Sequence, residues 1–365
     1  MSKVYFTDFR ATSDCNLLDK IKLLCKEAGI EEINFQKKFT AIKIHFGEPG
    51  NLAYLRPNYA KAIVDLVKSL GGVPFLTDCN TLYVGRRKNA LDHLEAAYEN
   101  GFSPFSTGCH ILIADGLKGT DEVEIPVNGK HVKNAKIGQA IMDADIFISL
   151  SHFKGHESTG FGGAIKNIGM GCGSRAGKME QHYGGKPGVN PKKCVSCGQC
   201  IKNCAHGAIS FIEKKAQIDV EKCVGCGRCI GACNYDAIRP LDSSSNVILN
   251  EKMAEYTYAV LNGRPHFHIS LILDVSPYCD CHAENDAPIV PDIGMLASFD
   301  PVSLDMACAE LVNKAPVMPG SMLDEADHCH QDHFTNLHPE TDWKSCMIHA
   351  EELGIGQMNY ELIQI

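Results

Sequence analysis

Apolar residues along this chain gather into short runs, and between the runs they recur at helical spacing. The runs at 41–46, 73–77, 111–114 and 145–151 have the length and the β-branched content of strands buried on both faces. Between them, Leu18, Ile21, Leu24 and Cys25 form one helical stripe; Ile63, Val64, Val67 and Leu70 form a second, and Leu91, Leu94 and Ala97 a third. A strand at 4–9 opens the chain. A buried strand at 268–275 and helices at 304–312 and 343–353 close it. Strands alternating with helices predict an α/β fold: a mostly parallel sheet with covering helices.

The pattern breaks between about 188 and 240, where apolar runs give way to cysteine and glycine. Glycine and proline mark the joins at 184–191 and 240–245. The expected organisation is therefore an α/β domain in two parts, 1–187 and 241–365, with residues 188–240 inserted between them.

Composition narrows the class. With 365 residues, 44% hydrophobic and 22% charged, the chain can bury a large core, which excludes disorder. No apolar run approaches the roughly 18 residues of a membrane span. No export signal is visible. The net charge of -9, from 44 acids against 35 bases, repels phosphate backbones and acidic lipid, so neither nucleic acid nor membrane is an expected partner.

Eighteen cysteines are too many for casual use in a chain that needs no disulfide scaffold. Cys194, Cys197, Cys200 and Cys204 form C-x2-C-x2-C-x3-C, and Cys223, Cys226, Cys229 and Cys233 repeat it, the arrangement of bacterial two-cluster ferredoxins. Three thiolates of a tight loop wrap three corners of a cubane, and the fourth corner comes from the other set. One 4Fe–4S cluster is expected on Cys194, Cys197, Cys200 and Cys233, the second on Cys223, Cys226, Cys229 and Cys204. Gly198, Gly225 and Gly227 let amide N–H groups approach the sulfurs. Ala208 and Ile209, a hairpin through Lys214 and Lys215, then Ala237 and Ile238 complete an internal repeat. The proline usual after each fourth cysteine is replaced by Ala205 and Asn234. Paired zinc sites are the competing reading.

A second candidate site follows the strand that ends at Ser151. His152, Lys154 and His156 lead into a glycine-rich stretch containing Gly162, Gly163, Lys166, Asn167, Cys172, Arg175 and Lys178, at the sheet edge where α/β proteins gather ligands. Its amides and cations suit an anionic ligand. Lys154, Lys166 and Arg175 would bind the anion, and His152 or His156 would move protons. It is not a Walker loop, because Cys172 and Met179 stand where that motif needs glycine and a hydroxyl residue; the G-x-G-x-x-A at 171–176 lacks a directly preceding strand. Bends around a cluster module are the plain alternative for these glycines. Cys279 and Cys281, beside His282 in a proline- and aspartate-rich turn, are either an additional soft-metal site or ordinary thiols. If that turn shares the sheet edge, Cys172, Cys279, Cys281, His152 and His156 would converge. Cys25, Cys308 and Cys346 sit in apolar stripes and read as core. The run from Asp327 to His333 reads as a solvated loop.

Several of these segments have a family likeness: residues 3–6, Asn80 to Tyr83 with Gly85 and Arg87, SHFKGH at 151–156 running into GFGGAIKNIGMGCGSRAGK at 160–178, the Cys-Asp-Cys turn, and DIGMLASFDP at 292–301. Together they resemble the iron–sulfur centre proteins built on domain of unknown function 362, with a ferredoxin insert, over essentially the whole chain. That resemblance implies a cytoplasmic protein with two cubane clusters and no established substrate.

Three functions compete on the sequence. The first is an iron–sulfur oxidoreductase passing electrons to a substrate or second cofactor held by the glycine-rich loop. The second is an electron carrier whose large domain docks a redox partner protein. The third is a non-redox metal enzyme using the Cys279/Cys281 turn. No flavin signature stands out.

Overall fold

In a computed structural model, residues 1–82, 85–183, 186–223, 225, 228–233, 235, 237–240 and 246–365 are described. Tyr83, Cys226, Gly227, Asn234 and the join segments 184–185 and 241–245 lie outside the described residues.

The expected α/β architecture is present. One eight-stranded sheet carries the fold in the order Tyr360–Gln364, Ser2–Asp8, Gly294–Ser298, His266–Ile272, Ile146–His152, Phe39–Lys43, Val73–Asp78, Ile111–Ile113. Seven strands run in one direction, and Gly294–Ser298 opposes both of its neighbours. The central strand Ile146–His152 is buried at every position, as a strand covered on both faces must be. Ile146, Ile148 and Leu150 join the core with the helices Leu17–Glu27 and Pro57–Ser69; Phe147 packs on the opposite face with Ile168 and Tyr256.

Helix starts follow local chemistry. Asn16 accepts from Leu18 and Asp19 N–H in a capping box, and Asp300 caps Pro301–Lys314 with proline already at the first helical position. The stripes Ile21/Leu24/Cys25 and Ile63/Val64/Val67 are buried as expected. The third stripe differs. In Ala90–Glu99, capped by Asn89, Leu91 is 62% exposed and the buried positions are His93, Ala96 and Ala97.

The helix Asn246–Leu261 lies on the sheet's second face between Ala164–Cys172 and Trp343–Glu352, and it is buried on nearly every side. It presents no amphipathic stripe, which is why periodicity misses it. Its closest approach is at Gly169, where a Cβ would stand 2.2 Å from the Met253 carbonyl oxygen, so only glycine permits this spacing.

The cysteine-rich segment enters through Pro187–Val189 and leaves through Ile238–Pro240, two short strands paired antiparallel. Between them lie the helices Gln199–Asn203 and Arg228–Gly231 and the hairpin Ile209–Ile212/Lys215–Ile218. The hairpin turns on Glu213 and Lys214, both at positive φ, one residue earlier than the sequence suggests.

Candidate functional site

From Phe39–Lys43 the chain moves outward through the sheet to Ile111–Ile113, then returns to the other side of Phe39–Lys43 as Ile146–His152. The order of strands therefore reverses between these two, and the carboxyl ends of α/β strands at such a reversal part to leave a crevice. Asn167 bridges the gap: its amide donates to the Lys43 and Leu150 carbonyls, both at 3.2 Å, and its Oδ1 accepts from Lys43 Nζ at 2.8 Å. Above it opens a cavity of about 700 Å³.

The walls come from four strand ends. Lys43 ends one strand and Asp78 the next, and their side chains pair at 3.0 Å with almost no exposure. Burial alone would raise the Asp78 carboxyl, but the Lys43 ammonium, then His93, hold it well below the ordinary value. Arg87 reaches in from the loop after Val73–Asp78 and donates Nε–H to Glu48 at 2.8 Å. His45 sits beside it; burial first, then the Arg87 charge, push its pKa well down, so its ring is neutral.

The last wall is the turn after His266–Ile272. His282 N–H donates to the Cys279 carbonyl at 3.0 Å, closing a reverse turn with Asp280 and Cys281 at its centre. Asp280 points inward, fully buried, against His152 Nδ1 at 2.9 Å and Lys154 Nζ at 3.1 Å. Desolvation would raise its carboxyl; His152, then Lys154, more than offset that and depress it. Its two neighbours face the cavity. Cys279 Sγ accepts from Lys166 Nζ at 3.3 Å. A hydrogen bond from the Cys281 thiol, followed by the Lys166 charge and the His156 ring, draws Cys279 well below the ordinary thiol value, while Cys281 is pushed up by the same bond. Lys166 is raised to about 12: burial works against it, and the Cys279 and Cys281 sulfurs outweigh burial. His156 Nδ1 accepts from Ser158 and Thr159 N–H, leaving Nε2–H as the donor on the sulfur side.

The residues singled out from sequence divide three ways. Lys154, His156, Gly162, Gly163, Lys166, Asn167, Lys178, Cys279 and Cys281 line the cavity. His152 stands behind it, with Nδ1 on Asp280 and Nε2 on the Leu273 carbonyl at 2.8 Å, so neither nitrogen faces a ligand. Cys172 and Arg175 are packed into the wall. The Cys172 carbonyl accepts from Cys79 and burial pushes its thiol up to about 12; the Arg175 guanidinium is tied to the Lys88 carbonyl. The Lys178 ammonium meets the Gly171 and Gly173 carbonyls, and Gly163 leaves room for Asp305, which accepts from Ala164 and Ile165 N–H. Lys43, His45, Glu48 and Asp78 escape sequence reasoning. The signal available was a lysine and a histidine alternating with apolar residues at the end of a buried strand.

In the cysteine-rich segment, Cys194, Cys197, Cys200 and Cys233 line one small cavity. Ala216 N–H points at Cys194 Sγ, Ala237 N–H at Cys233 Sγ and Ala208 N–H at Cys204 Sγ. Burial would raise the Cys194 thiol, yet the Ala216 and Ser196 amides and the Lys215 charge leave it below the ordinary value. Cys223 is half-buried and Cys229 buried, and Cys226 is outside the described residues. Among the described residues, no group of three or more His, Cys, Asp or Glu converges as a single ion requires. A cubane makes a looser demand, because its thiolates bind four separate irons, whereas zinc draws its sulfurs to about 2.3 Å from one centre.

Fold and site together define an α/β protein with a polar, thiol-bearing cavity at the carboxyl ends of its parallel strands. Residues 40–310 match the domain of unknown function DUF362, so the chain belongs to that family. No curated protein matches it. Among solved structures it is similar to the lactate racemase apoprotein from Thermoanaerobacterium thermosaccharolyticum, at 12% identity and a TM-score of 0.38, covering 75% of this chain and 51% of that one. A Thermotoga maritima protein is similar at 13% identity and a TM-score of 0.42, covering 83% and 60%. The chain thus spans between half and three fifths of the length of these two structures. Among the described residues, no helix is long and apolar enough to cross a membrane.

Proposed function

We propose that this protein is an iron–sulfur oxidoreductase that carries two 4Fe–4S clusters on its eight paired cysteines and passes electrons to a small molecule held in the cavity. The clusters supply electrons one at a time. The chain's own residues bind the acceptor, exclude water and move protons. Lys166 and His156 present N–H donors beside the Cys279 sulfur, and Lys178, whose ammonium meets two carbonyls, supplies positive charge for an anionic acceptor. A chain so rich in free thiols belongs in a reducing compartment, the cytoplasm.

One observation carries this reading. Leu82 lines the cavity and also packs, with Met179, into the apolar cluster that holds Cys194, Cys200, Cys229 and Cys233. The apolar cluster around the cysteines therefore reaches the cavity at Leu82, a proximity that favours electron transfer between them and that a carrier with a mere docking domain does not need. The amide donors aimed at Cys194, Cys204 and Cys233 add support, because N–H groups on sulfur stabilise an added electron.

Anaerobically purified protein is expected to contain about eight iron and about eight acid-labile sulfide per chain, the content of two cubanes, and to give a paramagnetic signal with dithionite. Colourless protein, or protein holding zinc in place of iron, overturns the assignment.

A further inference from the structure

The Cys279–Cys281 turn lies in the cavity but off the eight-cysteine pattern, and it is built unlike a packing cysteine pair. In an extended strand, residues two apart have Cα atoms about 7 Å apart. The hydrogen bond from His282 N–H to the Cys279 carbonyl folds this turn and shortens that separation toward the roughly 4.4–6.8 Å that a disulfide spans. Asp280 fixes the turn from behind through His152 and Lys154, so both sulfurs are presented to the same space. Lys166 Nζ, 3.3 Å from Cys279 Sγ, marks one of the two as the nucleophile.

We propose that Cys279 and Cys281 form a redox-active dithiol that reduces a small-molecule disulfide bound in the cavity, with Cys279 as the attacking sulfur and Cys281 as the resolving one. In the first step, Cys279 thiolate attacks one sulfur of the substrate. The substrate S–S bond breaks, a Cys279–substrate disulfide forms, and the first thiolate leaves with a proton from the Lys166 ammonium. In the second step, Cys281 gives its proton to the neighbouring base and attacks Cys279. A Cys279–Cys281 disulfide forms and the second substrate thiol departs. The substrate has gained two electrons and two protons; the Cys279/Cys281 pair has lost the two electrons and the Cys281 proton, and Lys166 has lost the other proton. Two further electrons and two protons restore it, and for their source the inference rests on the reading above, in which two one-electron centres lie across the Leu82 wall.

The test uses the full chain with its clusters, reduced, desalted and treated anaerobically with oxidised glutathione. The wild type is expected to release two glutathione thiols per chain, and the peptide containing residues 279–281 to become lighter by two hydrogens in mass analysis. Cys281→Ser is expected to stop at one glutathione joined to Cys279, and Cys279→Ser to give neither product at the turn. Glutathione captured on Cys281 instead, or an unmodified turn in the wild type, overturns the inference. So does one zinc per chain that blocks both thiols and is lost in Cys279→Ser while eight iron remain. Dithionite then separates the two readings. If it reopens the oxidised turn in cluster-loaded protein but not after the clusters are stripped, both stand. If only dithiothreitol reopens it, the dithiol stands and the electron-transfer reading falls.

Discussion

Asp280→Asn removes the buried carboxylate that ties the cavity's thiol turn to His152 and Lys154. In the wild type this carboxylate is fully buried, 2.9 Å from His152 Nδ1 and 3.1 Å from Lys154 Nζ. Asparagine keeps the shape and an acceptor oxygen but leaves the buried Lys154 ammonium, which also donates to the His152 carbonyl at 3.1 Å, without its negative partner. Breaking a buried charge pair from one side costs about 3–5 kcal/mol, because the remaining charge keeps its desolvation penalty. For a chain of this size about 1 kcal/mol moves Tm by roughly 1.3 °C, so a fall of about 4–7 °C is expected. Differential scanning calorimetry at neutral pH reads it directly. Lys154→Met in the same chain removes the orphaned charge, so the double variant is expected to melt above Asp280→Asn, the signature of coupled groups. The sign with pH follows from the depressed Asp280 carboxyl. Its stabilisation is complete above the unfolded value near 3.8 and disappears as pH falls through the lower folded value. A variant melting within 2 °C of the wild type would refute the reasoning and show that water reaches Lys154.

Three further outcomes follow from the same structure. Cys197→Ser is expected to lower iron from about eight to about four per chain, measured with acid-labile sulfide, while the sheet domain keeps its melting transition because the chain enters and leaves the segment through one paired strand couple. Lys166→Met takes away the ammonium beside Cys279, so the midpoint pH for alkylation of that thiol, read by peptide mass analysis, is expected to rise; an unmoved midpoint removes Lys166 from the site. Burial pushes His93 down to about 3, below its unfolded value near 6.5, so the unfolded chain binds the extra proton. Stability is full above about pH 6.5 and declines as pH falls toward 3, costing about 2 kcal/mol at pH 5. A flatter acid profile in His93→Gln, followed by urea unfolding, is the check.

Much of the architecture was legible from the order of residues, because burial on both faces of a parallel strand demands continuous apolar runs, and amphipathic helices demand period. Residues 146–152 and the stripes through Ile21 and Ile63 are of that kind. The helix Asn246–Leu261 was not, since an element buried all round has no stripe to read, and neither was the exposure of Leu91, whose helix turns His93, Ala96 and Ala97 inward instead. Spacing alone also set the eight cysteines in two matched C-x2-C-x2-C-x3-C sets. What the chain could not announce was which polar residues meet. Lys43 and Asp78 become a buried ion pair because Phe39–Lys43 and Val73–Asp78 lie side by side in the sheet, and Lys154 meets Asp280 because Ile146–His152 lies beside His266–Ile272. The second neighbourhood also puts His152 on the Leu273 carbonyl and Lys166 against Cys279. Local spacing fixes what each segment is able to bind, whereas strand order fixes which charges must neutralise one another once water is gone.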